Sequence, residues 1–294
     1  MINYFRYLPI SEEDQHWGLS ILNAGCTRIT ANADYPYRQH PDHHYFTWSN
    51  GRVLDEFQVI YIASGEGIFE SASVAETAIQ PGTVILLFPG EWHRFRPTKH
   101  TGWDEYWVGF KGEVAENLLR RKFFEISAAL VTVGFSAEIV GLFSAIIDQT
   151  RAERPGYQPF GAGILLHLLG CIYSLNKQQS FDQSDGMPRK MEQAIMLLRS
   201  KIDEDVTIQD IAEELNVSYA WFRKWFKLYT GLAPQQYMIQ LKMEKAKALL
   251  ADSGNSIKGI AYQLRFEHPL YFSKLFKEKV GVSPEIYRKR CNGN

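Results

Sequence analysis

Between residues 206 and 287 apolar positions recur every three or four residues and are broken at regular points by turn residues. The pattern occurs twice, first as VTIQDIAEELNVSYAWFRKWFKLYTGLAPQQY and then as NSIKGIAYQLRFEHPLYFSKLFKEKVGVSPEIY. Ile208, Ile211, Ala212, Leu215 and Val217 return 49 positions later as Ile257, Ile260, Ala261, Leu264 and Phe266. Phe222, Phe226, Lys227, Gly231, Pro234 and Tyr237 return 50 positions later as Phe272, Phe276, Lys277, Gly281, Pro284 and Tyr287. Each copy predicts two short helices. In the first, Thr207 is a suitable N-cap with Asp210 in the opening turn, and Ile208, Ile211, Ala212 and Leu215 share one face. Asn216-Val217 turns the chain. Ser218 caps a second helix to about Tyr229, which Gly231 and Pro234 end. That helix buries Phe222 and Phe226 and leaves Ala220, Arg223, Lys224 and Lys227 on its other face. The second copy, from Ser256, presents Leu270, Ser273, Lys274 and Lys277 at the equivalent places. Two helices across a tight turn, the second with an exposed basic face, form a helix-turn-helix, whose second helix fits a major groove. Ordinary amphipathic helices in an all-α domain would give the same pattern once, but would not repeat it in register. Between the copies Gln235 to Ala251 predicts one helix, with Leu241, Ala248 and Leu249 apolar among Lys242, Lys245 and Lys247. A rigid helix there would set the two recognition helices into successive major grooves, about 34 Å apart.

Ahead of this stretch the period changes. From Phe57 short β-rich runs follow one another: FQVIYI, IFES, Glu76–Ile79, TVILLF, EWHRF and Trp103–Phe110, with Gly and Pro turns between them. Ser64-Gly65-Glu66-Gly67 predicts a hairpin. Such spacing indicates a small barrel or sandwich. Residues 1–50 are irregular and aromatic, a segment suited to crossing a barrel mouth or wrapping a core. Residues 111–180 turn helical, with Ile139, Val140, Phe143, Ile146 and Ile147 on one helix and Ile164, Leu165, Leu168, Leu169 and Ile172 on the next. Lys177 to Pro188 is polar, lacks apolar period and predicts a linker. The fold class expected is α+β, an N-terminal β-barrel with flanking helices followed by an all-α domain.

Charge sharpens the division. The 294-residue chain has a formal net charge of −1, but residues 187–294 hold 18 Lys+Arg against 12 Asp+Glu while the preceding residues carry a net −7. A basic C-terminal third points to nucleic acid there and away from it elsewhere. Cys26, Cys171 and Cys291 offer neither a disulfide framework nor zinc spacing, and fit buried or incidental thiols in a reducing cytosol. The N-terminus lacks a signal-peptide pattern, and no run of about 18 apolar residues predicts a membrane span. A cytoplasmic location is expected.

The paired motif, with its A-x9-F, F-K, G-x2-P and closing Tyr, resembles the AraC/XylS family of bacterial transcription regulators over about residues 189–290. The resemblance implies base-reading positions at Ala220, Arg223 and Lys224, and at Leu270, Ser273 and Lys274. The second recognition helix departs from the family pattern by opening with His268-Pro269. PGTVILLFPGEWHRF resembles the second half-motif of cupins, and with EYWVGF following, residues 35–110 or so look like the sugar-binding arm of the arabinose regulator, within a cupin-like sensing domain over residues 1–110. That likeness places ligand contacts at Arg52, Phe95, Glu105 and Trp107, with His93 adjacent, and makes a sugar the expected effector. Phe95 lacks a hydroxyl and Glu105 is an acid, so a ligand rich in donor hydroxyls suits the site better than arabinose itself. Cupin enzymes bind metal through an earlier His-x-His and Glu. The segment around Gln58–Glu70 has no His, so no metal, cofactor or catalytic residue is expected. His40, His43, His44 and His93 form the remaining chelating set, read as polar loop histidines. Residues 111–180 would cover the barrel or build a homodimer contact, 181–188 would be the linker and 189–294 the DNA-binding domain. Promoter DNA, a small-molecule effector, a second copy of the chain and RNA polymerase are the partners implied. The alternatives are a cupin-type isomerase or dioxygenase with a DNA-binding tail, and a regulator whose barrel serves only to dimerise.

Overall fold

The computed structural model describes residues 3–33, 35, 46–182, 186–252 and 254–292. The chain divides into two compact units, Met1–Ser180 and Phe181–Asn294. The first unit begins with β1 (Tyr4–Tyr7), α1 (Glu12–His16) and β2 (Ser20–Ile29). The series β3 (Arg52–Val53), β4 (Phe57–Gly65), β5 (Gly67–Ser71), β6 (Thr77–Ile79), β7 (Thr83–Leu87), β8 (Trp92–Pro97) and β9 (Trp103–Lys111) follows. After α2 (Glu113–Arg120) come a short strand β10 (Leu130–Thr132) and helices α3 (Ala137–Ala152) and α4 (Tyr157–Asp182). One antiparallel sheet runs β1-β2-β9-β4-β7-β10, the other β3-β8-β5-β6. No ladder joins the two among the described residues, so the expected barrel takes the form of two sheets on one continuous apolar core.

Three expectations are corrected here. Residues 1–50 are not simply irregular: β2 is ten residues long and lies second in the larger sheet. Its residues are buried on both faces, so it lacks the alternation that marks a half-exposed strand. Ser64 to Gly67 is not a hairpin, because β4 pairs with β7 and β9 while β5 pairs with β6 and β8. The chain changes sheets there, with Gly65 at φ +82°. Nor does the series end with Trp103–Phe110: β10 follows α2 and pairs with β7 at the edge of the larger sheet.

Helix α3 covers the outer face of the larger sheet. Phe143 stacks on Tyr61 at 6.4 Å and meets Tyr106 at 5.9 Å. In α4, Gln158 makes two bonds to β2, accepting from Ile21 N at 3.0 Å and donating to Ile21 O at 2.9 Å, beside the register shift after Ile21. The apolar faces expected to meet a second copy are therefore already spent: Phe143, Ile146, Leu165 and Leu168 are 0% exposed within one chain. Tyr157–Phe181 is also long and apolar enough to cross a membrane by length and composition, against expectation. The core face of α4, with Leu165, Leu168, Leu169 and Ile172 buried, accounts for much of that composition.

The second unit is helical: α5 (Met187–Ser200), α6 (Ile208–Glu214), α7 (Tyr219–Thr230), α8 (Pro234–Ala251), α9 (Ile257–Gln263), α10 (Pro269–Val280) and α11 (Pro284–Cys291). The repeat extends to backbone conformation. Asn216 and Arg265 hold the left-handed turn at φ +52° and +59°, and Gly231 and Gly281 end the second helices at +78° and +88°. Each copy has its own apolar cluster, centred on Phe222 and Phe226 in one and on Phe272 and Phe276 in the other. Helix α8 forms where expected but buries a different face. Met238, Met243, Ala246 and Leu250 are buried, whereas Leu241 and Leu249 are half-buried and Ala248 is exposed.

Candidate functional site

Strand register gathers one set of side chains on the inner face of the larger sheet. Asn23, Gly25 and Thr27 of β2 lie opposite Gly109, Trp107 and Glu105 of β9, which in turn lie opposite Gln58, Ile60 and Ile62 of β4. Two glycines make the room. A β-carbon on Gly25 would collide with the Trp107 ring, and one on Gly109 with the Asn23 amide and the Glu56 carboxylate. In the smaller sheet Arg52 pairs with His93, and Phe95 lies two residues further along β8.

A chain of hydrogen bonds links these elements. Arg52 Nε donates to His93 Nε2 at 3.1 Å, and its Nη2 reaches Gln58 Oε1 at 3.4 Å. Gln58 Nε2 and Asn23 Nδ2 both donate to Glu56 Oε1 at 2.8 Å. The guanidinium lies 4.9 Å from the Phe46 ring centroid and 5.5 Å from that of Phe95. A guanidinium can only donate, so His93 Nε2 must accept, and the ring proton sits on Nδ1, 3.0 Å from the Glu91 carbonyl. Burial, then the Arg52 charge, pushes the His93 pKa down to about 3, so the ring is neutral. Burial raises the Glu56 carboxyl against its two donated bonds. Glu105, 6% exposed, is raised by burial to about 7, while Tyr35 donating at 3.3 Å and the Arg52 charge pull the other way. The arrangement offers donors and acceptors to a small polar molecule, with aromatic walls.

Arg52, His93 and Phe95 thus come together in one contact cluster. Glu105 couples to Arg52 through space, and Trp107 lies over Gly25 two residues along the same strand. A cleft of about 450 Å³ opens beside them, lined by Tyr35, Phe46, Trp48, Phe95, Arg96 and His100 among others. It shares Tyr35, Phe46 and Phe95 with the cluster but not Arg52, Glu105 or Trp107. Sequence reasoning missed Asn23, Glu56, Gln58, Tyr35 and Phe46. Gln58 left a signal as the one polar residue in an otherwise apolar FQVIYI, and Tyr35 and Phe46 left one as members of the aromatic run in residues 1–50. His40, His43 and His44 lie outside the described residues. His93 Nε2 is engaged by Arg52, and no group of three or more metal-binding side chains occurs among the described residues.

In the second unit the basic faces stand clear. Ala220, Arg223, Lys224 and Lys227 of α7 are exposed, as are Leu270, Lys274 and Lys277 of α10. Ser273 is half-buried, and its hydroxyl donates back to Pro269 O at 3.0 Å. Ser218 caps α7 by accepting from Trp221 N at 3.2 Å, whereas His268 makes no side-chain cap for α10 and Pro269 fills the first turn. Leu270 is 86% exposed.

Comparison with known proteins matches two family models to this chain. One is described as an AraC-like ligand binding domain and covers residues 33–169; the other is described as a helix-turn-helix domain and covers residues 211–290. The raffinose operon transcriptional regulatory protein of Pediococcus pentosaceus is 26% identical over 83% of this chain and 88% of its own length. The lactose operon transcription activator of Staphylococcus xylosus is likewise 26% identical over 83% of this chain and 88% of its own. The Msm operon regulatory protein of Streptococcus mutans is 24% identical over 82% and 87%.

Proposed function

This chain belongs to the AraC family of ligand-responsive, sequence-specific DNA-binding transcription regulators, and on that premise we propose that its effector is a sugar held by the buried polar cluster of the first unit. The observation that carries this is the bonded chain His93–Arg52–Gln58–Glu56–Asn23, inside an otherwise apolar core and facing Glu105 and Trp107. A sugar brings hydroxyls for Arg52, Glu56 and Glu105 and an apolar CH face for Trp107. Relatives named for raffinose and lactose operons support the same reading. The test is a thermal-shift screen of mono- and oligosaccharides on the purified chain. A binder raises stability by RT ln(1 + [L]/Kd), and Arg52→Ala and Trp107→Ala should abolish that rise. Folded variants that keep it would move the site elsewhere.

On the promoter, Arg223 and Lys224 read base edges and Lys227 and Lys277 hold phosphates. Leu270 presents an apolar surface suited to a thymine methyl. A homodimer would form through surface that is free, such as Phe160 and Leu166 on α4, which are 60% and 46% exposed. Contact with RNA polymerase and a cytoplasmic location complete the proposal. An enzymatic role finds no support in relatives that are regulators.

A further inference from the structure

The two helix pairs of the second unit have separate apolar clusters. The first runs from Phe181 to Met238, the second from Met243 to Phe276. Helix α8 passes through both, giving Met238 to one and Met243, Ala246 and Leu250 to the other. One helix fixes a separation well. Rotation of a helix pair about that axis needs a second tie.

That tie is present. Arg265 Nε donates to the backbone carbonyl of Asp203 at 2.7 Å, across 62 residues. Asp203 lies between α5 and α6, and its side chain accepts from Lys245 Nζ on α8. Among the described residues the Arg265–Asp203 bond is the only hydrogen bond that runs directly between residues 187–233 and residues 256–291. The position of Arg265 is informative. It is the left-handed turn residue of the second copy, at φ +59°, where the first copy has Asn216 at +52°. Asn tolerates that conformation because its short polar side chain bonds locally, and Arg has no such relief. A residue held in an unfavourable conformation by its surroundings points to a role for its side chain.

We propose that Arg265, with Asp203 and Lys245, is a positioning device that fixes the second helix pair about α8 and so sets the half-site spacing the protein accepts. This rests on the reading of α7 and α10 as the base-contacting helices. One inserted base pair turns the second half-site by roughly 35° and shifts it about 3.4 Å. A clamped second pair cannot follow that change, and a released one can.

The experiment uses the full chain and a DNA site recovered by selection, together with the same site carrying one base pair inserted between its two contacted segments. The wild type should bind the native spacing selectively and lose affinity on insertion. Arg265→Asn keeps the turn and removes the tie. It should lower the native-to-inserted affinity ratio roughly three- to tenfold, with melting temperature unchanged or raised. Lys245→Met, which releases the Asp203 side chain while leaving α8 helical, should move the ratio the same way and decides the matter if the first variant does not fold. The proposal is overturned if the wild type is indifferent to spacing, or if folded variants keep its ratio. A wild type that selects no sequence at all overturns the reading of α7 and α10 instead.

Discussion

The two units dispose of their polar groups in opposite ways. Every buried polar or charged residue identified in the described chain belongs to residues 1–180, among them Asn23, Glu56, Gln58, His93 and Glu105. Among the described residues, 181–294 bury none by the same measure, and their cores consist of Phe, Leu, Ile, Met and Ala. Burying a carboxylate and a neutral imidazole costs stability unless each is partnered. A unit that spends stability in this way is equipped to recognise something on its inside. A unit with dry cores and its charges outside is equipped to recognise something on its surface.

The strongest way to test this contrast is to damage a dry core. Phe222 is 0% exposed, and Phe222→Ala should cost about 3–5 kcal/mol, confined to the second unit. Thermal unfolding should show an early step, with DNA binding lost and effector-induced stabilisation of the first unit retained. Loss of both together would mean that the units do not respond separately.

Glu105 tests the other side. Its carboxyl titrates near 7 in the folded chain against an ordinary value of 4.5, so the folded state holds an extra proton between those values. The contribution of Glu105 to stability therefore falls as pH rises through that window, by about 3 kcal/mol in all. Glu105→Gln should remove this fall. His93, lowered to about 3, contributes the opposite trend below its ordinary value of 6.5, and does so in both proteins. Melting curves that stay parallel for wild type and variant from pH 4.5 to 7.5 would refute the buried-acid reading.

On the outer surface, Arg223→Ala should cost about 1–3 kcal/mol of specific binding and relax preference at one or two bases. Leu270→Ala should cost less, and replacing thymine by uracil in its half-site should reproduce the loss on wild type. A selected sequence unchanged by either variant would remove their base-reading role. The smallest effect separates the two copies from each other. His268→Ser supplies the cap that Ser218 gives α7, and should stabilise by about 1 kcal/mol in a urea titration. No gain would mean that Pro269 alone already sets the start of α10.

These predictions track what was legible in the sequence. The paired helices were legible because their faces are one-sided and their caps are local: Thr207, Ser218, Gly231 and Gly281 sit where the sequence pattern puts them. The larger sheet was only half legible. Strand β2 is covered on both sides and carries inward polar residues, so nothing in SILNAGCTRI separates it from a loop. The turn at Gly65 has the composition of a hairpin, and only the pairing of β4 and β5 with other strands distinguishes it. The buried face of α8 was misjudged because Met238, Met243 and Leu250 fill the two cores, while Leu241 and Leu249 lie half-buried beside them. Within the site, the resemblance supplied Arg52, His93, Phe95, Glu105 and Trp107. Their partners Asn23 and Gln58 come from other strands and Glu56 from the bend before β4, and tertiary pairing is what brings them near Arg52.

The crowding at Gly25 also bears on how this protein can change over generations. A β-carbon there would collide with the Trp107 ring on one neighbouring strand and with the Tyr4 backbone carbonyl on the other, so Gly25 is held as glycine from both sides. Trp107 can be exchanged for something smaller, but the Tyr4 carbonyl is main chain and stays in place whatever residue stands there. Trimming the indole therefore relieves one collision and leaves the other. A double-mutant cycle on Gly25→Ala and Trp107→Leu should show partial recovery only, with the double variant more stable than Gly25→Ala but less stable than Trp107→Leu. A lineage that changes its ligand preference on this sheet would do so through residue 107, with residue 25 unchanged.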